Sequence, residues 1–128
     1  MKAGDGDLGL ALSLTPLRPP VIHGKDGVSQ KGPKPGQASH YYSLTRMETR
    51  GELILQGKRI PVRGLSWMDH EFGSNQLGEN QVGWDWFSLH LSNGMDLMVY
   101  RLRNREGLGQ AVTSGTLVFP EGRPLPLD

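Results

Sequence analysis

Residues 81–103 read QVGWDWFSLHLSNGMDLMVYRLR, and their middle decides the fold. Two runs of alternating apolar and polar residues, Gln81–Leu91 and Met95–Arg103, flank Ser92-Asn93-Gly94. Asn-Gly between such runs is the strongest short-range signal for a β-hairpin. With Asn93 and Gly94 as the two central turn residues, His90 falls opposite Leu97, Phe87 opposite Tyr100, Trp86 opposite Arg101 and Trp84 opposite Arg103. One face then carries Phe87, Leu89, Leu91, Met98, Tyr100 and Leu102, with Asp85 at its end, and reads as core. The other sets Trp84, Trp86, Ser88 and His90 against Arg101 and Arg103, a polar wall lined by rings.

The flanking sequence extends the same pattern. Leu8, Leu10, Leu12 and Leu14 alternate as the residues of a half-buried strand do. Residues 15–39, rich in Pro, Gly and Lys, read as a long loop. His40–Arg50, Glu52–Gln56 and Ile60–Asp69 read as three strands, punctuated by Gly51 and by Gly57-Lys58, and Pro61 sends the third to an edge or a strand start. A second loop, SNQLGEN at 74–80, leads into the hairpin. Ala111–Phe119 reads as a last strand, and the three prolines of the tail at 120–128 forbid a regular ladder there. There is no internal repeat, no heptad pattern and no convincing helix. The expectation is one all-β, antiparallel domain over residues 1–128, built from consecutive hairpins and barrel-like.

Composition sets the outer limits. At 128 residues the chain can build one real core but not two ordinary domains, and 18 Gly with 9 Pro suit short strands and turns. The net charge of +1 hides an uneven layout: residues 17–63 hold nine Lys or Arg against three acids, and residues 64–100 hold five acids and no Lys or Arg. The basic residues are scattered and lack interleaved aromatic platforms, which argues against nucleic acid as a partner. The absence of cysteine excludes disulfides, thiol nucleophiles and Cys-ligated zinc. No apolar run approaches the roughly 20 residues that span a bilayer. Asp5 and Asp7, placed ahead of Leu8–Leu14, disqualify that stretch as a signal-peptide core.

The stretch SWMDHEF at 66–72 packs acids, a histidine and rings together. In a strand, Trp67, Asp69 and Glu71 project to one face and Met68 and His70 to the other, while His40 and Tyr42 share a face of their own. Were both pairs to face one cavity, a carboxyl group and an imidazole would sit among aromatic rings. An Asp in such surroundings has its charged form disfavoured and can donate a proton, and ring faces can stabilise a developing cation. The competing reading is a hydrogen-bonded hub that fixes the structure. Metal is not expected: Asp69-His70-Glu71 is split between two faces, and His23, His40 and His90 converge only if the tertiary fold brings them together. No G-x-S-x-G elbow is present, and GLGQ at 107–110 lacks the strand–glycine–helix context of a phosphate loop. Trp84-Asp85-Trp86 reads either as wall packing with Asp85 at an end or as ligand contacts.

The strings KGPKPGQASHYYSLTRMETRGEL, VRGLSWMDHEFGSNQL and VGWDWFSLHLSNGMDLMVYRLR closely resemble the AttH-like family over roughly residues 8–119. These are lipocalin-like β-barrel proteins, often labelled predicted secreted hydrolases and related to carotenoid 1,2-hydratase (hydroxyneurosporene synthase). The resemblance implies two tandem barrels in a full-length member. This chain resembles a partial one, with the family's later strand segments missing after Phe119 and with sheet edges that favour self-association or a partner supplying strands. It also implies an apolar isoprenoid or lipid-like ligand, no cofactor, and acid-catalysed hydratase or hydrolase chemistry. The family's His-x-Trp and Tyr-x-Asp pairs correspond to His40 with Tyr42 and Trp67 with Asp69. In that scheme Asp69 donates the proton, His40 tunes it or positions water, and Tyr42 and Trp67 shield the cation. Trp84, Asp85, Trp86, His70 and Glu71 are the expected ligand contacts. A non-catalytic carrier and a pericyclase-like enzyme acting by shape are the alternatives.

Overall fold

A computed structural model describes residues 2–5, 7–32, 34–74, 80–105 and 113–127, and every regular element in it is an antiparallel strand. The first six strands are β1 (Lys2–Asp5), β2 (Leu8–Pro16), β3 (Val21–Ile22), β4 (Val28–Gln30), β5 (Ala38–Leu55) and β6 (Lys58–Phe72). They form one sheet around β5, which pairs with β2, β3 and β4 along one edge and with β6 along the other. The second sheet has the order β10-β9-β8-β7, from β7 (Gln81–His90), β8 (Asp96–Asn104), β9 (Thr113–Val118) and β10 (Pro124–Leu127). Tyr41 of β5 packs between the sheets on Met98, Tyr100 and Leu102 of β8, with Trp67 against this cluster. The sheets do not close into one continuous barrel: among the described residues no ladder joins them.

Besides β1, an additional strand that precedes and pairs with the one expected from Leu8, the fold departs from the sequence reading in four places. First, the loop expected over 15–39 holds β3 and β4, two short segments that pair in turn along the edge of β5. Second, Gly51 does not interrupt a strand. β5 runs straight through it, because a Cβ there would stand 2.1 Å from the Ala11 carbonyl oxygen of β2 and only glycine permits that approach. Third, the tail forms β10 on β9 despite its prolines. Pro124 and Pro126 lie two apart on an edge strand, so both can turn their missing donors away from the partner. The fourth concerns the 81–103 hairpin, whose register is shifted by one residue.

In that hairpin the turn uses three residues rather than two. Leu91 and Met95 are still bonded across it (2.9 Å), and Gly94 adopts a left-handed conformation with φ 83°. A three-residue loop ending in an αL glycine is the next most common hairpin connection. The register becomes His90 opposite Asp96, Phe87 opposite Val99, Trp86 opposite Tyr100 and Trp84 opposite Leu102. A one-residue slip exchanges faces. Trp84, Trp86, Ser88 and His90 therefore join Met98, Tyr100 and Leu102 on the face toward the first sheet, and Phe87 and Leu89 are exposed on the other. Residues 75–79 of the second loop, GLGQ at 107–110 and the start of the strand expected from Ala111 lie outside the described residues.

Two polar junctions hold the sheets together. At one, Asp96 of β8 is fully buried and accepts from Arg18 (2.6 Å), Arg46 (2.5 Å) and Thr45 (2.9 Å), while Arg18 also reaches the Gly94 carbonyl. Thr45 and Arg46 are neighbours in sequence and yet both bond Asp96. A β-bulge in β5 between Leu44 and Met47 makes this possible by setting two residues opposite one on β6. The other junction surrounds Asp69.

Candidate functional site

The bulge also decides what Asp69 faces. From the turn at Gln56-Gly57, β5 and β6 pair regularly as far as Met47 opposite Ser66. Continued without interruption, that register would put Asp69 opposite Leu44, on the same face as Tyr42 and His40. The extra residue moves Asp69 opposite Ser43 and Glu71 opposite Tyr41. Directly opposed residues share a face, so the inner face carries Tyr41, Ser43, Trp67, Asp69 and Glu71, and the outer face carries His40, Tyr42, His70 and Phe72.

On the inner face three donors converge on one oxygen. Asp69 Oδ1 accepts from Tyr41 Oη (3.0 Å), Trp67 Nε1 (2.9 Å) and Ser43 Oγ. Behind them, Trp86 Nε1 donates to Tyr41 Oη (3.1 Å). His23 lies 2.7 Å from Ser43 Oγ through Nε2 and 2.9 Å from Thr116 Oγ1 through Nδ1. Because Ser43 gives its proton to Asp69, its oxygen accepts from His23 Nε2–H, and Nδ1 accepts from Thr116. Each donor thus points along a line that ends at the Asp69 carboxyl. Burial pushes the His23 pKa down to about 4, outweighing the Asp69 charge that pulls it up, so the ring is neutral at pH 7. Burial and then the Asp69 charge raise the Tyr41 phenol above its ordinary value of 10, so Tyr41 holds its proton.

Tyr41 links this network to a cleft between the sheets. Its walls are Tyr41, Trp84, Trp86, Tyr100 and Leu102, and its charged pair is Lys31 and Glu71. The cleft has a volume of about 60 Å³. Whole-ligand pockets run to roughly 300–1,000 Å³, so the cleft admits a terminal group and the remainder of any ligand lies outside it. Asp69 is not in the cleft wall and stands one hydrogen bond behind Tyr41.

The expected site residues therefore divide. Trp67 and Asp69 share a face as expected, and Trp84, Trp86 and Glu71 border one cleft. His40 and Tyr42 do not join them, which corrects the expectation of a shared hollow. His40 is exposed, 3.2 Å from the Gly27 carbonyl and packed near Phe72. Tyr42 stacks on His70, with 3.3 Å between Oη and Nδ1. His70 is likewise on the outer face. Asp85 is turned outward too, opposite Arg101 and 3.5 Å from Arg103 Nε. The cross-strand partners of Trp84 and Trp86 are Leu102 and Tyr100, not arginines. Sequence reasoning weighed His23 only as a metal ligand, and missed Tyr41, Ser43, Thr116 and Lys31. Only the alternation of β5 marked Tyr41 and Ser43 as face-mates, and nothing local marked the others. His23, His40 and His90 do not converge, and among the described residues no group of three or more His, Asp or Glu is arranged to hold a metal ion.

Comparison with known proteins agrees with this architecture. The family model described as AttH-like matches residues 1–128. Among solved structures, an AttH candidate from Nitrosomonas europaea superposes with a TM-score of 0.90 at 34% identity, covering 98% of this chain and 38% of that one. Kievitone hydratase from Nectria haematococca gives a TM-score of 0.74 at 16% identity, covering 97% of this chain and 38% of that one, a likeness of fold. No curated protein matches. This chain thus spans 38% of the length of both structures, and within that span it belongs to the AttH-like family.

Proposed function

We propose that the cleft takes the end of an apolar, isoprenoid or lipid-like small molecule, and that Asp69, acting through Tyr41, adds water to it in a hydratase-type reaction. The observation that supports this reading is the convergence of Tyr41, Ser43 and Trp67 on Asp69 Oδ1, with Tyr41 alone reaching the cleft. The Asp69 carboxylate that accepts from Tyr41 is the resting form. In the proposed step Asp69 first takes up a proton from solvent, Tyr41 turns its O–H to the cleft and gives that proton to an alkene carbon, and Asp69 returns one to the phenol oxygen. Water then adds to the carbocation and its proton returns to Asp69, so the net change is addition of one water. The rings of Trp84, Trp86 and Tyr100 border the space where the positive charge would develop. His40 and Tyr42 have no part in this scheme, because they lie on the other face.

Kievitone and an acyclic carotenoid, each incubated with the protein in ordinary water and in ¹⁸O-water, test the reading. The expected product is 18 mass units heavier than substrate, and 20 in labelled water. Asp69→Asn and Tyr41→Phe should each lower turnover at least a hundredfold while ligand is retained, in line with the usual worth of a positioned acid. Turnover untouched by both changes overturns the mechanism. Retention of ligand with no turnover by the unaltered protein would support the carrier reading, which the same cleft serves without Asp69.

A further inference from the structure

The charged pair in the cleft has chemistry that the proposed hydration does not use. Lys31 is 5% exposed, an unusual setting for an ammonium group. Its Nζ lies 2.9 Å from Glu71 Oε1, 4.2 Å from the Tyr100 ring centre and 5.3 Å from that of Tyr41. Ser39 Oγ donates to the same Glu71 oxygen at 2.5 Å. Both bonds fall on Oε1, and among the described residues Oε2 has no partner, on a side chain 31% exposed. Of the three N–H groups on Lys31, one is taken by the carboxylate and the rest have ring faces, which are weak acceptors. The cleft thus presents a donor and an acceptor side by side within a wall of aromatic rings and Leu102.

We propose that Lys31 and Glu71 select a ligand bearing a hydroxyl group, an alcohol or a phenol, at the end that enters the cleft. This rests on the reading of the cleft as the ligand site. The choice follows from what each alternative would leave unpaired. A carboxylate satisfies Lys31 but brings a second negative charge to Glu71. An amine does the reverse. A carbonyl or ether engages Lys31 alone, and a hydrocarbon end engages neither, leaving a polar group stripped of water without a partner. A hydroxyl accepts from Lys31 and donates to Glu71 Oε2 at once. It also fits a cleft of about 60 Å³.

Ligand-detected NMR titration of the full chain with p-cresol, p-methylanisole, p-xylene and p-toluate tests this directly, since the four share a methylated ring and differ in one substituent. Binding of p-cresol should be at least tenfold tighter than that of the other three. Lys31→Met and the near-isosteric Glu71→Gln should each erase that preference and leave p-xylene unchanged. Equal or tighter binding of p-toluate, a p-cresol preference that survives Glu71→Gln, or no binding of any probe overturns the proposal. The outcome is independent of turnover: a preference for p-cresol without hydration of any alkene would sink the catalytic reading and keep this one, and hydration without that preference would do the opposite.

Discussion

The two faces of the β5–β6 ribbon carry almost the same inventory and behave differently. Outside, His40, Tyr42, His70 and Phe72 pack on one another beside solvent; the one hydrogen bond between their side chains is the long Tyr42–His70 contact at 3.3 Å, and His40 reaches only the Gly27 carbonyl, at 3.2 Å. Inside, Tyr41, Ser43, Trp67 and Asp69, joined by His23, form a directed network in which each group has one geometric solution. Histidine, tyrosine and a large ring appear in both places. What separates them is the second sheet, which covers the inner set, removes competing water and makes each unpaired donor expensive. A close grouping of titratable and aromatic residues in sequence is thus no guide to a site until the covering layer is known.

The contrast can be broken most directly at opposed acids and bases. Asp69→Ala leaves three inner donors without their acceptor and should cost about 3–5 kcal/mol in urea unfolding, whereas the outer His70→Ala should stay within about 0.5 kcal/mol. Similar losses at the two positions would erase the distinction. The next effect depends on pH. His23 is held neutral in the fold with a pKa of about 4 against 6.5 in the unfolded chain, so the unfolded state binds the extra proton first. Stability should therefore be flat above pH 6.5 and fall as pH drops toward 4, by roughly 3 kcal/mol in full. In His23→Gln this component should vanish from the difference between the pH 7 and pH 4 unfolding curves. The smallest effect compares the two phenols. Tyr41→Phe removes the donor to Asp69 and the acceptor for Trp86 and should cost about 1–2 kcal/mol, while Tyr42→Phe should be nearly neutral. Spectrophotometric titration should also show Tyr41 ionising above the ordinary phenol range, with that component lost in Tyr41→Phe.

Much of the architecture was legible in the sequence. Alternation marked the long strands, Asn93-Gly94 located the hairpin, and both reflect local preferences that a short window contains. The faces were less accessible, because each depends on a count of one. Whether Trp86 opposes Arg101 or Tyr100 turns on a third residue in a loop, and whether Asp69 shares a face with His40 or with Tyr41 turns on one extra residue near Leu44. Alternation within a strand is readable, but the phase between two strands is set by turn and bulge geometry that identical patterns tolerate equally. The role of His23, and the parts played by Lys31 and Thr116, were invisible for a different reason. These residues come from distant segments, and only the packing of one sheet on the other brings them to the centre.

The missing ladder between the sheets has a further effect. In a barrel closed by hydrogen-bonded strands, the width of the interior is fixed by backbone spacing and strand number. Here the described residues bridge the gap with side chains: Arg18 and Arg46 on Asp96 at one end, and Tyr41, Trp86 and His23 at the other. The separation of the walls is therefore written in the lengths of a few side chains. Exchanging an arginine for a shorter cation, or a ring for a smaller one, can widen or narrow the interior without disturbing any strand, so the calibre of the cleft can change by single substitutions while the scaffold stays as it is.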